Sequence, residues 1–416
     1  MIDMVRIRNV APAAICLAIL VGCNRHSTTK ISFETQPRQV LAKSGAMETR
    51  DPSLSVSSSG MLGMLTVYAD TAGNHVGYAM SHDGGDSFMP IAPVSDPTAK
   101  INSHGESAPS LATTPQAIYA LWQQRSDKGN QLAVARSLNF GKSFDKPVIV
   151  TGDESPAFHG FASLGVSPNG DVYAAWLDGR ESAPGSGSFA VYVSRSTDRG
   201  ASFETPRRVA LSACPCCRPA IAFGPNNEVI IAWRKVFDSD IRDMVVSVSH
   251  DGGQTFSSET RVADDGWQLV ACPDSGPSMA MKGSRLYIAW LTEGRERKSR
   301  IQISWSDDLG KTFHAPMLAS GDVLDPNHPR LRISEDGNIL LSFQGRPANT
   351  ANGWDPAQIF VTQVGGDLSS PLAITNTKES AAYPALGMGT AGRVYIAWTS
   401  SNDQSSKVNL LRARIE

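Results

Sequence analysis

The sequence predicts an all-β chain, a seven-bladed β-propeller of four-stranded antiparallel blades. Three observations lead there. The string Ser-x-Asp-x-Gly-x-Ser/Thr-Phe occurs at 81–88, 137–144, 196–203, 249–256 and 306–313, with Asn139 in the third position of one copy. Seven short runs open on Pro-x-Leu or a variant, and each is followed by a run of alternating β-branched and aromatic residues. Equivalent positions recur at a period of about fifty-five residues, in the range of propeller blades.

Each part of the repeat has a physical reason. In Ser196-Thr197-Asp198-Arg199-Gly200-Ala201-Ser202-Phe203 the Asp carboxylate can accept hydrogen bonds from nearby N–H groups in a tight turn. The Gly permits the positive φ of that turn, and the Phe anchors it to the sheet. First strands open at Pro52-Ser53-Leu54, Pro109-Ser110-Leu111, Phe161-Ala162-Ser163-Leu164, Pro219-Ala220-Ile221, Pro277-Ser278-Met279, Pro329-Arg330-Leu331 and Pro384-Ala385-Leu386. Second strands end on Tyr68, Trp122, Trp176, Trp233, Trp290, Phe343 and Trp398. The third strand leads into the turn and a short fourth follows.

The last unit stops at Arg412-Ala413-Arg414-Ile415-Glu416, one strand short. Ile31-Ser32-Phe33-Glu34-Thr35-Gln36-Pro37-Arg38 echoes Ser202-Phe203-Glu204-Thr205-Pro206-Arg207 and supplies the missing piece. An N-terminal strand on the last blade closes the ring and covers an edge otherwise open to aggregation. Residues 31–416 therefore read as a single propeller domain.

The five turns resemble the Asp box (BNR repeat) of the sialidase-like β-propellers. The resemblance covers nearly the whole chain after the leader and specifies architecture more than chemistry. Sialidases proper resemble six-bladed rings, so six blades is the alternative.

Residues 1–22 are set apart as a leader: Arg6 and Arg8 precede an apolar stretch, Ala11 to Val21, too short to span a membrane. Leu20-Val21-Gly22-Cys23 resembles a bacterial lipobox, with lipid expected on Cys23 and 23–30 as tether. Asn24 resembles outer-membrane sorting, so the expected location is the cell envelope, facing the periplasm or the exterior. Of 38 basic and 40 acidic residues the leader holds Arg6, Arg8 and Asp3, leaving 36 against 39. That balance argues against nucleic acid. A monomer is expected, held to the membrane through Cys23.

In a four-stranded meander the connection entering strand one and that from strand two to three share a face. The Asp-box turns lie on the other, so their carboxylates read as structural. The opposite face gathers Arg50-Asp51, His104 with Glu106, His159, Cys214-Pro215-Cys216-Cys217-Arg218, Cys272-Pro273-Asp274, His328 and Tyr383 before the first strands. Arg180, Glu293 and Arg346 follow second strands.

Three readings of this funnel stand. As a sialidase-type glycosidase, Arg50-Asp51-Pro52 resembles the family's Arg-Ile-Pro segment, whose Arg binds the sugar carboxylate. Tyr383 then sits where the nucleophilic Tyr occurs. Arg180, Arg218 or Arg346 would complete an arginine cluster, and Asp51, Asp70 or Glu293 would serve as acid or base. As a metal site, His104, His159, His328, Cys216, Cys217 and Cys272 offer imidazole and thiolate ligands suited to copper or zinc. Against it, exported cysteines usually pair, and a bridge from Cys214, Cys216 or Cys217 to Cys272 would join neighbouring blades. As an envelope-assembly or protein-binding platform, the arginine-rich mouth favours an anionic small molecule, glycan or protein segment. The leading reading is ligand binding at the funnel, with a Cys/His metal centre as one means.

Overall fold

The computed structural model describes residues 31–40, 48–57, 59–127, 129–152, 157–182, 188–349, 355–365, 370–376, 378–402 and 405–416. The leader, Cys23 and the tether lie outside the described residues. The chain is all-β, and its strand pairings are antiparallel.

Among the described residues the strands form three four-stranded sheets, two five-stranded sheets and one eight-stranded sheet that joins two four-stranded units. The first strands of the units are Glu48–Val56, Ser110–Thr113, His159–Val166, Ala220–Phe223, Ser278–Lys282, Leu324–Ile333 and Ser380–Met388. The third and fourth units share one sheet through a single pair, Ala213 with Lys235. The expected closing strand is present: Ile31–Phe33 pairs with the chain end, Ile31 opposite Ile415, and Arg38 pairs with Leu410. The last unit also packs on the first, so the units form a closed ring.

Packing between units follows from strand periodicity. Alternate residues of the second strands point into adjacent interfaces, where Trp122, Trp176, Trp233, Trp290, Trp398 and Phe343 are fully buried. Burying each such ring contributes on the order of 2–3 kcal/mol.

The repeated turns behave as structural clasps. Ser196 Oγ donates to Asp198 Oδ1 at 2.7 Å and accepts from Gly200 N–H. Asp198 also accepts from Ser202 N–H at 3.0 Å and Ser202 Oγ at 2.6 Å. The same set recurs around Asp83, Asp251 and Asp308, and Asn139 reproduces it with an amide. At Gly141 φ is +78°, and a Cβ there would lie 2.2 Å from the Tyr78 ring of the preceding unit. Phe88, Phe144, Phe203, Phe256 and Phe313 pack on the cores, while His82 and His250 are exposed.

Candidate functional site

Just before or within the first strands of five units a side chain adopts a left-handed backbone, at Asp51, Phe161, Asp274, His328 and Tyr383, with φ between 45° and 55°; the sixth unit adds a second such residue, Asp325. In four of these units the residue sits in a β-bulge, where the register shifts between Arg50 and Ser53, Gly160 and Ser163, Asn327 and Arg330, and Ala382 and Ala385. Positive φ is strained for such side chains, and bulges re-aim them. Here the bulges gather Asp51, His328 and Tyr383 around one short segment of the second unit.

That segment is Gly105–Ser107, a 3₁₀ turn whose residues are all buried. His328 Nδ1 donates to Glu106 Oε1 at 2.7 Å, and Arg330 lies 3.7 Å from the same oxygen. Arg218 donates to the Glu106 carbonyl at 2.6 Å and to the Ala108 carbonyl. The Tyr383 ring packs on His328, centroids 4.6 Å apart, and over Gly105, where a Cβ would fall 2.0 Å from it. Ser103 Oγ donates to Asp51 Oδ2 at 2.6 Å. Glu106 Oε2 is buried with no hydrogen-bond partner among the described residues.

Beneath this segment a cavity of about 160 Å³ follows the ring axis, lined by the first strand of every unit. Its charged walls are Asp51, Arg218, Arg330 and Arg332, with Tyr383 beside them. Arg330 and Arg332 are two apart on one strand and so share its channel side. No carboxylate lies within ion-pair distance of Arg332 among the described residues; its NH1 donates only to the Leu331 carbonyl at 2.9 Å.

The electrostatics follow from that geometry. Burial opposes ionisation of Glu106, but Arg330, the hydrogen bond from His328 and Arg218 outweigh it and hold the carboxyl at about 2. Burial lifts Asp51 above its ordinary range, against the Ser103 hydrogen bond and Arg50. Burial, then Glu106, pushes Asp274 up to about 6. Burial, then Asp274, Asp51 and Glu106, pushes the Tyr383 phenol up to about 12. Burial draws Arg218 down to about 10.

The residues expected at the funnel separate into two groups. Asp51, Arg218, His328 and Tyr383 come together, with Arg50 beside Asp51 at 3.8 Å. The others do not join them. Arg180 chelates Asp178 and caps the Tyr192 ring, Arg346 pairs with Asp325, and Glu293 turns its carbonyl to Lys298 N–H. Among the described residues the expected histidine ligands stand apart from the cysteines, while Cys216 and Cys217 lie with Cys214, their sulfurs within 4.8 Å of one another. Cys216 and Cys272 form a disulfide, so neither sulfur is a thiolate. His159 accepts a place between Asn130 and Asp178, His328 is bound to Glu106, and His104 is exposed against Phe161. Cys217 is buried beside Cys214, its sulfur 3.2 Å away.

Two features escaped sequence reasoning. The residue between Pro and Leu is small in the other Pro-x-Leu openings (Ser53, Ser110, Ala220, Ser278, Ala385) and is Arg330 in the sixth unit. That outlier, with Arg332 two residues on, was the available signal. Cys214 and Cys217 also stand at Cys-x-x-Cys spacing.

No protein-family model and no curated protein matches this chain. Several solved structures share its fold. A protein of unknown function from Dyadobacter fermentans is 16% identical, over 93% of this chain and 99% of that one, at a TM-score of 0.54. The polysaccharide lyase Uly1 is 11% identical, over 92% and 94%, also at 0.54. The Hadza microbial sialidase Hz136 is 14% identical over 72% of this chain, at 0.50; the match spans 63% of the sialidase, less than two thirds of its length. At such identities the likeness establishes the fold alone.

Proposed function

We propose that this chain is an exported, lipid-anchored Asp-box propeller that binds a small anionic group in its central cavity, the carboxylate of an acidic sugar being the best fit. One observation carries the reading. Among the described residues, Arg218, Arg330 and Arg332 line a cavity whose lining includes one carboxylate, Asp51; Arg330 lies near Glu106, and Arg332 has no acidic partner. Guanidinium groups hold carboxylates through paired hydrogen bonds, so an anion there satisfies donors the protein leaves over. The cavity is smaller than the roughly 300–1,000 Å³ of a drug-sized pocket, which suits one sugar unit or the end of a longer glycan. Structural neighbours named as a sialidase and a polysaccharide lyase support a carbohydrate ligand. Export and the lipid on Cys23 rest on the leader sequence.

Binding ranks ahead of sialidase-type hydrolysis because of Tyr383. A nucleophilic phenol needs its proton removed, and burial with three nearby carboxylates drives this one the other way. Its ring is also occupied in packing on His328 and Gly105.

Calorimetric titration of the full chain with glucuronate, N-acetylneuraminate and glucose tests the reading. Heat from an acidic sugar but not from glucose, lost in Arg332→Met, supports it. Equal silence from all three sugars sinks it. Sialoside cleavage abolished by Tyr383→Phe, with binding kept, would restore the hydrolase.

A further inference from the structure

Four sulfurs lie in one chain of contacts near the mouth. Cys216 is bonded to Cys272, Cys214 Sγ lies 3.8 Å from Cys216 Sγ, and Cys217 Sγ lies 3.2 Å from Cys214 Sγ. Cys214 and Cys217 are buried thiols, while Cys272 is exposed. One disulfide and one dithiol are thus in contact.

The surroundings favour thiol chemistry over a metal ion. Arg242 NH1 donates to Cys214 Sγ at 3.1 Å. The Cys217 hydrogen bond, with Arg234 and Arg242 nearby, holds the Cys214 thiol below its ordinary range. Two guanidinium groups beside a sulfur stabilise a thiolate and oppose a cation. Exchange requires a thiolate in reach of a disulfide sulfur and a stabilised leaving thiolate. Burial shields Cys214 and Cys217 from outside reagents without hindering an intramolecular attack.

We propose that Cys214, Cys216, Cys217 and Cys272 form an internal thiol–disulfide exchange centre, in which one disulfide passes between Cys216–Cys272 and Cys214–Cys217. In the first step Cys214 thiolate attacks Cys216 Sγ; a Cys214–Cys216 bond forms, the Cys216–Cys272 bond breaks, and Cys272 leaves as a thiolate into solvent. In the second, Cys217 thiolate attacks Cys214 Sγ and Cys216 leaves. One S–S bond is lost and one gained, so no outside oxidant or reductant is consumed. The protons of Cys214 and Cys217 end on Cys216 and Cys272.

The exchange has a defined mechanical result. The disulfide ties the segment two residues before Arg218 to the segment two residues before Asp274. Arg242 still holds the Leu269 carbonyl at 2.7 Å, and Arg234 holds the Ser275 carbonyl at 3.2 Å. Opening the bond therefore frees the short stretch between them, where Val270 is already 82% exposed. The exchange does not depend on what the cavity binds.

The test is disulfide mapping of the full-length chain, prepared without reductant, acid-quenched, alkylated and digested for mass spectrometry. The expected result is two alkylated thiols among the four cysteines, with both pairings recovered after hours at pH 8. Cys214→Ser should show Cys216–Cys272 alone. Cys217→Ser, which blocks only the second step, should accumulate Cys214–Cys216 with Cys272 alkylated. Wild-type chain showing Cys216–Cys272 as its sole pairing overturns the proposal. So does a chain with no free thiol among the four, because Cys214–Cys217 is then a second permanent staple.

Discussion

Glu106 and His328 come from the second and sixth units of the ring, 222 positions apart in sequence, and meet at 2.7 Å, both fully buried. Arg330 of the sixth unit lies near the same carboxylate, and Arg218 of the fourth grips the main-chain carbonyls of Glu106 and Ala108, so three units meet at this short segment. Removing the carboxylate leaves the nearby Arg330 charge and the His328 ring N–H without their acceptor, at a cost of about 3–5 kcal/mol. Glu106→Ala should lose that much stability in urea titration. Glu106→Gln combined with His328→Gln should lose less than the sum of the two single changes.

The same carboxylate gives an acid limb. Its folded pKa, about 2, lies below the ordinary 4.5, so the stabilisation is complete above about 4.5 and lost as pH falls towards 2. The shift corresponds to roughly 3 kcal/mol. Thermal melts between pH 6 and pH 2.5 should show this loss, and Glu106→Gln should flatten it.

Asp274 has the opposite sign. Its folded pKa is raised from 3.8 to about 6, so the native state binds the proton more tightly and stability declines as pH rises from about 4 to about 6. Asp274→Asn should melt higher than wild type at pH 7.5, with the gap closing by pH 4. Solvent screening at this partly exposed site keeps the gap small. Protonation also removes a negative charge from the mouth, so an acidic sugar should bind more tightly at pH 5 than at pH 7.5, and Asp274→Asn should lose that dependence.

Arg332 separates ligand recognition from folding. It has no acidic partner among the described residues, shares its wall with Arg330 and is exposed along the cavity. Arg332→Met should leave the melting temperature unchanged or raised. Loss of a charged hydrogen bond worth about 1.5–3 kcal/mol should weaken acidic-sugar binding about 10- to 100-fold. A destabilised variant with unchanged affinity would reverse the assignment.

Asp198 does the converse. Asp198→Ala removes the acceptor for Ser202 N–H and for the Ser196 and Ser202 hydroxyls, so stability should fall by about 1 kcal/mol, as at a lost helix cap. Sugar affinity should not change. Deleting residues 31–40 should be far more damaging: it uncovers the edge strand Ser406–Ile415 and removes Glu34 from Arg412, and size-exclusion chromatography should show aggregates.

The fold was legible because its signals are local. A Ser-x-Asp-x-Gly-x-Ser turn forms from hydrogen bonds within eight residues, and the alternation before Trp176 or Trp290 is a property of one strand. The closing strand could be read from its echo of a later segment. The face carrying Asp51, Arg218, His328 and Tyr383 could be read too, since topology sends every such connection to one side.

What those side chains do was decided only by the ring. Nothing near Glu106 in sequence indicates that Arg218, His328, Arg330 and Tyr383 close around it. The choice among disulfide partners for Cys272 was likewise a matter of distance, which placed Cys216 against it and left Cys214 and Cys217 as thiols. Arg180 and Arg346 had the residue types of a site and pair instead with Asp178 and Asp325, outside the cavity lining. Local hydrogen bonding and strand alternation determine the blades. Contacts between units of the ring, such as His328 with Glu106, determine how the charges around the cavity are paired and which, as at Arg332, remain for a ligand.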